Sequence, residues 1–279
     1  MSKRLSFYLS ILASFMLNAC STGTQERLNC ICLIDYSGSL TEQTLNRYID
    51  IITENILENL REKDRLVVLP IDEGAKIEPV KLVFEDLSEK KFSYHTDGYT
   101  HARDSLLYRL NKYVKSIQPE IKKKLKQEKI NRQKYTYYTD IFSALEQVVA
   151  LLEHNEPDTF WDRLERFVTG KKKLISKNAI FIFSDMIQES KEISFANPTG
   201  CTPDEAQFII DKLNNFNKIP NLEGCVIFVN GRTGISNEQV DNIQNFWIRY
   251  FKEAKAELKA YDYDVGHEIT AFLKKRALN

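Results

Sequence analysis

Short apolar runs alternate with longer amphipathic stretches from residue 29 onward. NCICLID (29–35), RLVVLPID (65–72), AIFIFSD (179–185) and CVIFVNG (225–231) are nearly continuous apolar runs of strand length, and IEPVKLVFEDL (77–87) predicts a further strand. Residues 41–60 place Leu45, Ile49, Ile52, Ile56 and Leu60 at helical spacing, and 140–153 do so with Ile141, Leu145, Val148 and Leu152. Helices are also predicted over 203–217 and over 236–259, the latter with Val240, Ile243, Trp247, Tyr250, Ala254 and Leu258 in one stripe. Strands apolar on both faces, separated by amphipathic helices, predict an α/β fold. The expected form is a Rossmann-like, doubly wound, mostly parallel sheet with helices on both faces. Such sheets hold ligands at the carboxyl ends of their strands, where strand order reverses.

Residues 88–138 are not needed by this alternation and read as a helical basic insert. Within 112–134 nine Lys or Arg face two Glu, a local excess of +7, and Pro119 predicts two helical pieces joined there. Such a run is a solvated helical excursion or a surface for an anionic lipid, polymer or protein. Over all 279 residues, 39 basic side chains balance 39 acidic ones and 43% of positions are apolar. These values exclude a disordered chain and speak against a dedicated nucleic-acid binder.

The front of the chain differs. Lys3 and Arg4 precede an apolar run of thirteen residues, 5–17, short of the roughly 20 a spanning helix needs. A basic start, an apolar run and a small residue before a cut site describe a secretory signal over 1–19. Leu17-Asn18-Ala19-Cys20 resembles the lipobox of bacterial lipoproteins, with Asn18 where a smaller residue is commoner. The resemblance implies cleavage before Cys20 and acylation of that cysteine, palmitate included. That is a membrane anchor without a spanning segment. Residues 20–28 then form a short linker and 29–279 one domain, in a bacterial cell envelope. Ser21, where an acidic residue would signal inner-membrane retention, favours the outer membrane. Removing 1–19 leaves 37 basic against 39 acidic residues, and outside residues 112–134 the mature chain carries −9.

Four cysteines remain, Cys30, Cys32, Cys201 and Cys225. Cys30 and Cys32 share one face of a strand and cannot easily pair. Buried free thiols are the expected state, and no spacing resembles a zinc site.

The first strand ends in Asp35-Tyr36-Ser37-Gly38-Ser39, directly before a helix. A carboxylate and two hydroxyls in one Gly-containing turn are hard oxygen donors of the kind Mg2+ takes. Thr139 precedes the helix at 140, and Asp185 ends the strand at 179–185. In a parallel sheet these ends lie on the same side as Asp35. The set resembles the metal-ion-dependent adhesion site (MIDAS) of von Willebrand factor A-type (vWA) domains: Asp-x-Ser-x-Ser, then a Thr, then an Asp after the fourth strand. The resemblance spans about residues 29–265. It implies Mg2+ (or Mn2+ or Ca2+) held by Asp35, Ser37, Ser39, Thr139 and Asp185, with a partner protein's carboxylate in the open position. Tyr138 replaces the family's common Gly before the Thr, and Met186 its usual Gly after the Asp. Tyr36, between the ligands, is expected to pack.

Other readings use the same residues differently. Ser39 with Glu42 also fits a helix capping box, Thr139 an N-cap, and Asp185 a turn; a vWA scaffold without metal would follow. A metal-dependent hydrolase would use Asp35, Asp185 and Asp72, although Asp72-Glu73-Gly74 reads most simply as a turn. A phosphatase of the haloacid-dehalogenase type needs a second Asp where Ser37 stands. His95 and His101 flank Asp97 in the insert, a candidate metal cluster that reads more simply as a loop with incidental histidines. No Gly-rich phosphate loop, evident nucleophile or base is present, so a binding module rather than an enzyme is expected.

Overall fold

The computed structural model describes residues 24–276 except 39, 75–78, 91, 93–98, 136, 156, 158, 170, 171, 191, 192, 233 and 235. The expected signal segment 1–19, Cys20, Ser39, His95 and Asp97 lie outside the described residues, as does the side chain of His101.

Along the chain run β1 (Thr24–Asp35), α1 (Glu42–Asp50), β2 (Arg65–Ile71), β3 (Val83–Asp86), α2 (Tyr99–Asn131), α3 (Ile141–Val149), α4 (Phe160–Thr169) and β4 (Lys173–Phe183). Then follow α5 (Pro203–Asn215), β5 (Cys225–Asn230), α6 (Asn237–Glu253), β6 (Glu257–Asp262) and α7 (Gly266–Lys275). The sheet order is β3-β2-β1-β4-β5-β6. β1 with β2, β4 with β5 and β5 with β6 pair in parallel, while the short β3 runs antiparallel to β2. This is the expected doubly wound, mostly parallel α/β sheet.

The chain divides into two units, one containing residues 24–27 and 153–177 and the other residues 28–152 and 178–276. In the smaller unit, Arg27 pairs with Glu153 at 3.4 Å and Lys177 with Glu26 at 2.8 Å. The larger unit holds both cores. Because strand side chains alternate, Cys30, Cys32 and Ile34 pack with α1, α2 and α7, while Ile31 and Leu33 pack with α3, α5 and α6. All four cysteines are buried free thiols, as expected. Burial pushes the Cys225 thiol up to about 11 and Cys201 up to about 12.

Several boundaries differ from the sequence reading. β1 starts at Thr24, so residues 24–28 of the expected linker are strand. α1 gives way to a π turn, Ile51–Ile56. There Thr53 Oγ1 donates to the Ile49 carbonyl at 2.8 Å and competes with the regular ladder. Within the insert, Tyr99–Asn131 is one continuous 33-residue helix through Pro119, not two pieces. Proline removes one helical hydrogen bond; Leu110, Val114, Ile121 and Leu125 hold the helix in the core on both sides of it. α6 stops at Glu253, and Leu258 belongs to β6 rather than to the helical stripe.

Candidate functional site

β1 leads outward through β2 and β3, and β4 leads the opposite way through β5 and β6, so strand order reverses between β1 and β4. Asp35 ends β1, and Ser184 and Asp185 follow β4. Ser184 Oγ donates to Asp35 Oδ2 at 2.9 Å, which brings the two strand ends together. Asp35 Oδ1 accepts from the Ser37 amide at 2.7 Å, and the Ser37 hydroxyl also bonds this carboxylate. Asp185 Oδ1 accepts from the Ile187 amide at 2.9 Å, so the turn that the alternative reading gave Asp185 is present.

Burial raises the Asp35 pKa above the usual carboxylate range, hydrogen bonds from Ser37 and Ser184 work against it, and the Asp72 charge adds to the rise. Burial also raises Asp185, and the nearby Asp35 charge raises it further. Asp185 therefore lies within reach of the Asp35 charge, and keeping both ionised is costly. The Tyr48 hydroxyl feels the negative charge of both.

Thr139 is 3% exposed, and its carbonyl accepts from the Glu189 amide at 2.9 Å, joining it to the loop after Asp185. It does not cap α3. That cap is Asp140, which accepts from the Ser143 amide at 3.2 Å and hydroxyl at 2.6 Å. Gln188 Oε1 takes the Ile141 amide at 2.8 Å. Likewise α1 is capped by Thr41, which accepts from the Thr44 amide, so no capping box needs Ser39. Asp35, Ser37 and Asp185 are brought together at the switch point, and Thr139 borders the Asp185 loop.

Asp72 is buried at the end of β2 and is more than a turn residue. Arg132 Nε bonds its Oδ2 and Arg132 Nη2 its Oδ1 at 2.8 Å, a bidentate ion pair. Tyr36 packs as expected: its buried hydroxyl donates to the Leu125 carbonyl of α2 at 2.9 Å. Ser184 was legible only as the neighbour of Asp185. Gln188, Tyr48 and Arg132 carried no local signal, because the groups they meet lie on other elements of the chain.

The residues present fit a divalent cation. Two buried carboxylates, one raised further by the charge of the other, with a serine hydroxyl already turned onto Asp35, form an oxygen-only set, which suits Mg2+ or Ca2+ rather than a soft metal. Among the described residues no group of three or more His, Cys, Asp or Glu could hold a metal; this set has two carboxylates and relies on hydroxyls.

Beside the site, a groove of about 680 Å³ between α1 and α2 is lined by Lys122, Lys123, Lys126 and Lys129, with Glu42 and Leu45 opposite. Lys122 is paired with Asp50 at 2.9 Å and Glu54 at 2.6 Å, and Lys129 Nζ donates to the Leu40 carbonyl at 3.1 Å. No helix among the described residues is long and apolar enough to cross a membrane.

No protein-family model and no curated protein matches the chain. Among solved structures it is similar to a conserved hypothetical protein, BatB, from Bacteroides thetaiotaomicron. Identity is 11% and the TM-score 0.41, over 90% of this chain and 100% of that one. It is also similar to a von Willebrand factor type A protein from Catenulispora acidiphila, at 12% identity and TM-score 0.35, covering 90% of this chain but 42% of the other. A third is the pilus adhesin SpaC from Lactobacillus rhamnosus GG, at 12% identity and TM-score 0.39, covering 92% of this chain and 30% of the adhesin. The fold assignment rests on the strand order and winding, not on these likenesses.

Proposed function

We propose that this chain is a membrane-anchored, vWA-like protein-binding module that engages its partner through a divalent cation. Asp35, Ser37, Ser39, Thr139 and Asp185 would hold Mg2+, or Mn2+ or Ca2+, and the bound ion would supply a positive centre for a carboxylate of the partner protein. The observation that carries this reading is the pairing of Asp35 and Asp185 at the switch point, each raised by burial and Asp185 further by Asp35. The caps on Thr41 and Asp140 support it, since neither helix start needs Ser39 or Thr139. Cys20 would carry the lipid anchor in a bacterial envelope, with the outer membrane favoured by Ser21.

Lys123 and Lys126, exposed at the groove beside the site, suit an anionic segment of the same partner. A hydrolase built on Asp35, Asp185 and Asp72 is less well supported, because Arg132 occupies both oxygens of Asp72.

Calorimetric titration of Mg2+ and Mn2+ into residues 20–279, beside Asp35→Ala and Asp185→Ala, tests the centre. Binding by the parent and its loss in both variants is expected; no heat from any of the three ends the metal reading. Capture of an envelope protein that a chelator abolishes tests the partner. An acyl mass increment on Cys20 that globomycin treatment prevents tests the anchor.

A further inference from the structure

Helix α4 presents apolar side chains to solvent in a pattern that chance exposure does not give. Phe160, Trp161 and Val168 are 70%, 72% and 75% exposed, and the Phe160 and Trp161 rings meet edge to face at 5.5 Å. In sequence these positions, with Leu164 and Phe167, fall at i, i+1, i+4, i+7 and i+8, one stripe of a helix. Arg163 and Arg166 lie beside the stripe and Lys171, Lys172 and Lys173 follow it in sequence, so residues 160–173 hold five basic against two acidic side chains. The helix carries its own start. Thr159 Oγ1 accepts from the Asp162 amide at 3.2 Å, and Asp162 Oδ2 accepts from the Thr159 amide at 2.9 Å and hydroxyl at 2.6 Å. A short amphipathic helix with Trp and Phe on one side and Arg and Lys around it has the composition of a helix that lies in a membrane interface.

The chain's path supplies the second observation. Residues 24–27 belong to the same unit as α4, held there by the Arg27–Glu153 and Lys177–Glu26 pairs. Cys20 stands four residues before Thr24, a reach of at most about 14 Å when extended. A lipid on Cys20 would hold this unit against the headgroups.

We propose that α4 docks into the interface of an anionic bilayer, with Phe160, Trp161 and Val168 entering the boundary between headgroups and acyl chains and the basic residues meeting lipid phosphates. The orientation rests on the reading of residues 1–20 as an anchor, which the Cys20 mass measurement tests separately. The docking is tested on residues 20–279 with Cys20→Ser, which carries no lipid, mixed with phosphatidylglycerol–phosphatidylethanolamine vesicles. Trp247 is fully buried, so a change in tryptophan emission reports Trp161. A blue shift and protection from iodide quenching are expected with these vesicles. Phe160→Ser combined with Val168→Ser keeps the reporter and should weaken vesicle binding about tenfold or more. Unchanged emission, or unweakened binding by the double variant, overturns the proposal. So does a blue shift that grows with protein concentration without vesicles, which would mark a second copy of the chain as the occupant.

Discussion

Arg132, just past the end of α2, forks onto both oxygens of Asp72 at the end of β2, and both side chains are buried. The pair fastens the long helix to the sheet edge of the site and neutralises a third carboxylate close to Asp35. Removing one partner strands a charge in the interior, so Arg132→Ala should cost about 3–5 kcal/mol. Replacing both, as Asp72→Leu with Arg132→Met, should cost clearly less than the two single changes together. A double-mutant cycle in urea reads this directly; additive costs would mean that the two charges do not act as a pair.

In the presence of chelator, Asp35 and Asp185 make the fold more stable as the pH falls toward the ordinary carboxylate value of about 4. The sign follows from their raised pKa values. A carboxylate whose folded pKa lies above its unfolded value holds its proton more tightly when folded. Its penalty is therefore fully present above the folded pKa and gone below the unfolded one. The difference in unfolding free energy between parent and Asp35→Asn should shrink as pH drops through this window, with Asn the more stable at neutral pH. Saturating Mg2+ should reverse that order at neutral pH. A difference independent of pH would remove the raised Asp35 carboxylate on which the metal reading rests.

Much of this arrangement was legible in the sequence, and the exceptions have physical causes. The four apolar runs are of strand length and rich in Ile, Val and Phe, which favours strands buried on both faces, and Asp35 and Asp185 were visible because each stands where such a run stops. β6 was not visible: ELKAYD is a partly exposed edge strand, and Leu258 falls in step with the helix before it. The apolar positions of α4 recur at helical spacing, but in a ten-residue helix between polar stretches the pattern is short. The break expected at Pro119 fails because tertiary contacts on both sides outweigh one lost hydrogen bond. Arg132 could not be matched to Asp72 from spacing, since 60 residues separate them. The insert's charge was visible, but its service as a core layer through Val114, Ile121 and Leu125 was masked by the lysines between them.

Gly231, just after β5, is held at φ +146°, and a Cβ there would lie 2.0 Å from the Ser184 carbonyl oxygen. Gly231→Ala must push back the strand end that carries Ser184 and Asp185. A loss of about 3 kcal/mol or more in stability is expected, together with loss of cation binding. Gly224→Ala is the control. Its φ is +79°, yet nothing lies within 4 Å of the added carbon, so it should cost about 1 kcal/mol of strain and leave cation affinity unchanged. Equal effects of the two substitutions on cation affinity would mean that the Ser184–Asp185 segment does not shape the site.

The neighbours Thr139 and Asp140 separate the two readings of this loop. Asp140 accepts the Ser143 amide and caps α3, so Asp140→Ala should lower stability by about 1 kcal/mol. Thr139 caps nothing, and its side chain is nearly isosteric with valine. Thr139→Val should therefore leave the unfolding midpoint close to that of the parent in chelator while reducing Mg2+ affinity. The two quantities come from one pair of experiments, thermal unfolding in chelator and calorimetric titration with Mg2+. If Thr139→Val destabilises the chelated protein as much as Asp140→Ala and leaves the titration unchanged, Thr139 is a structural residue and does not belong to the cation's ligand set.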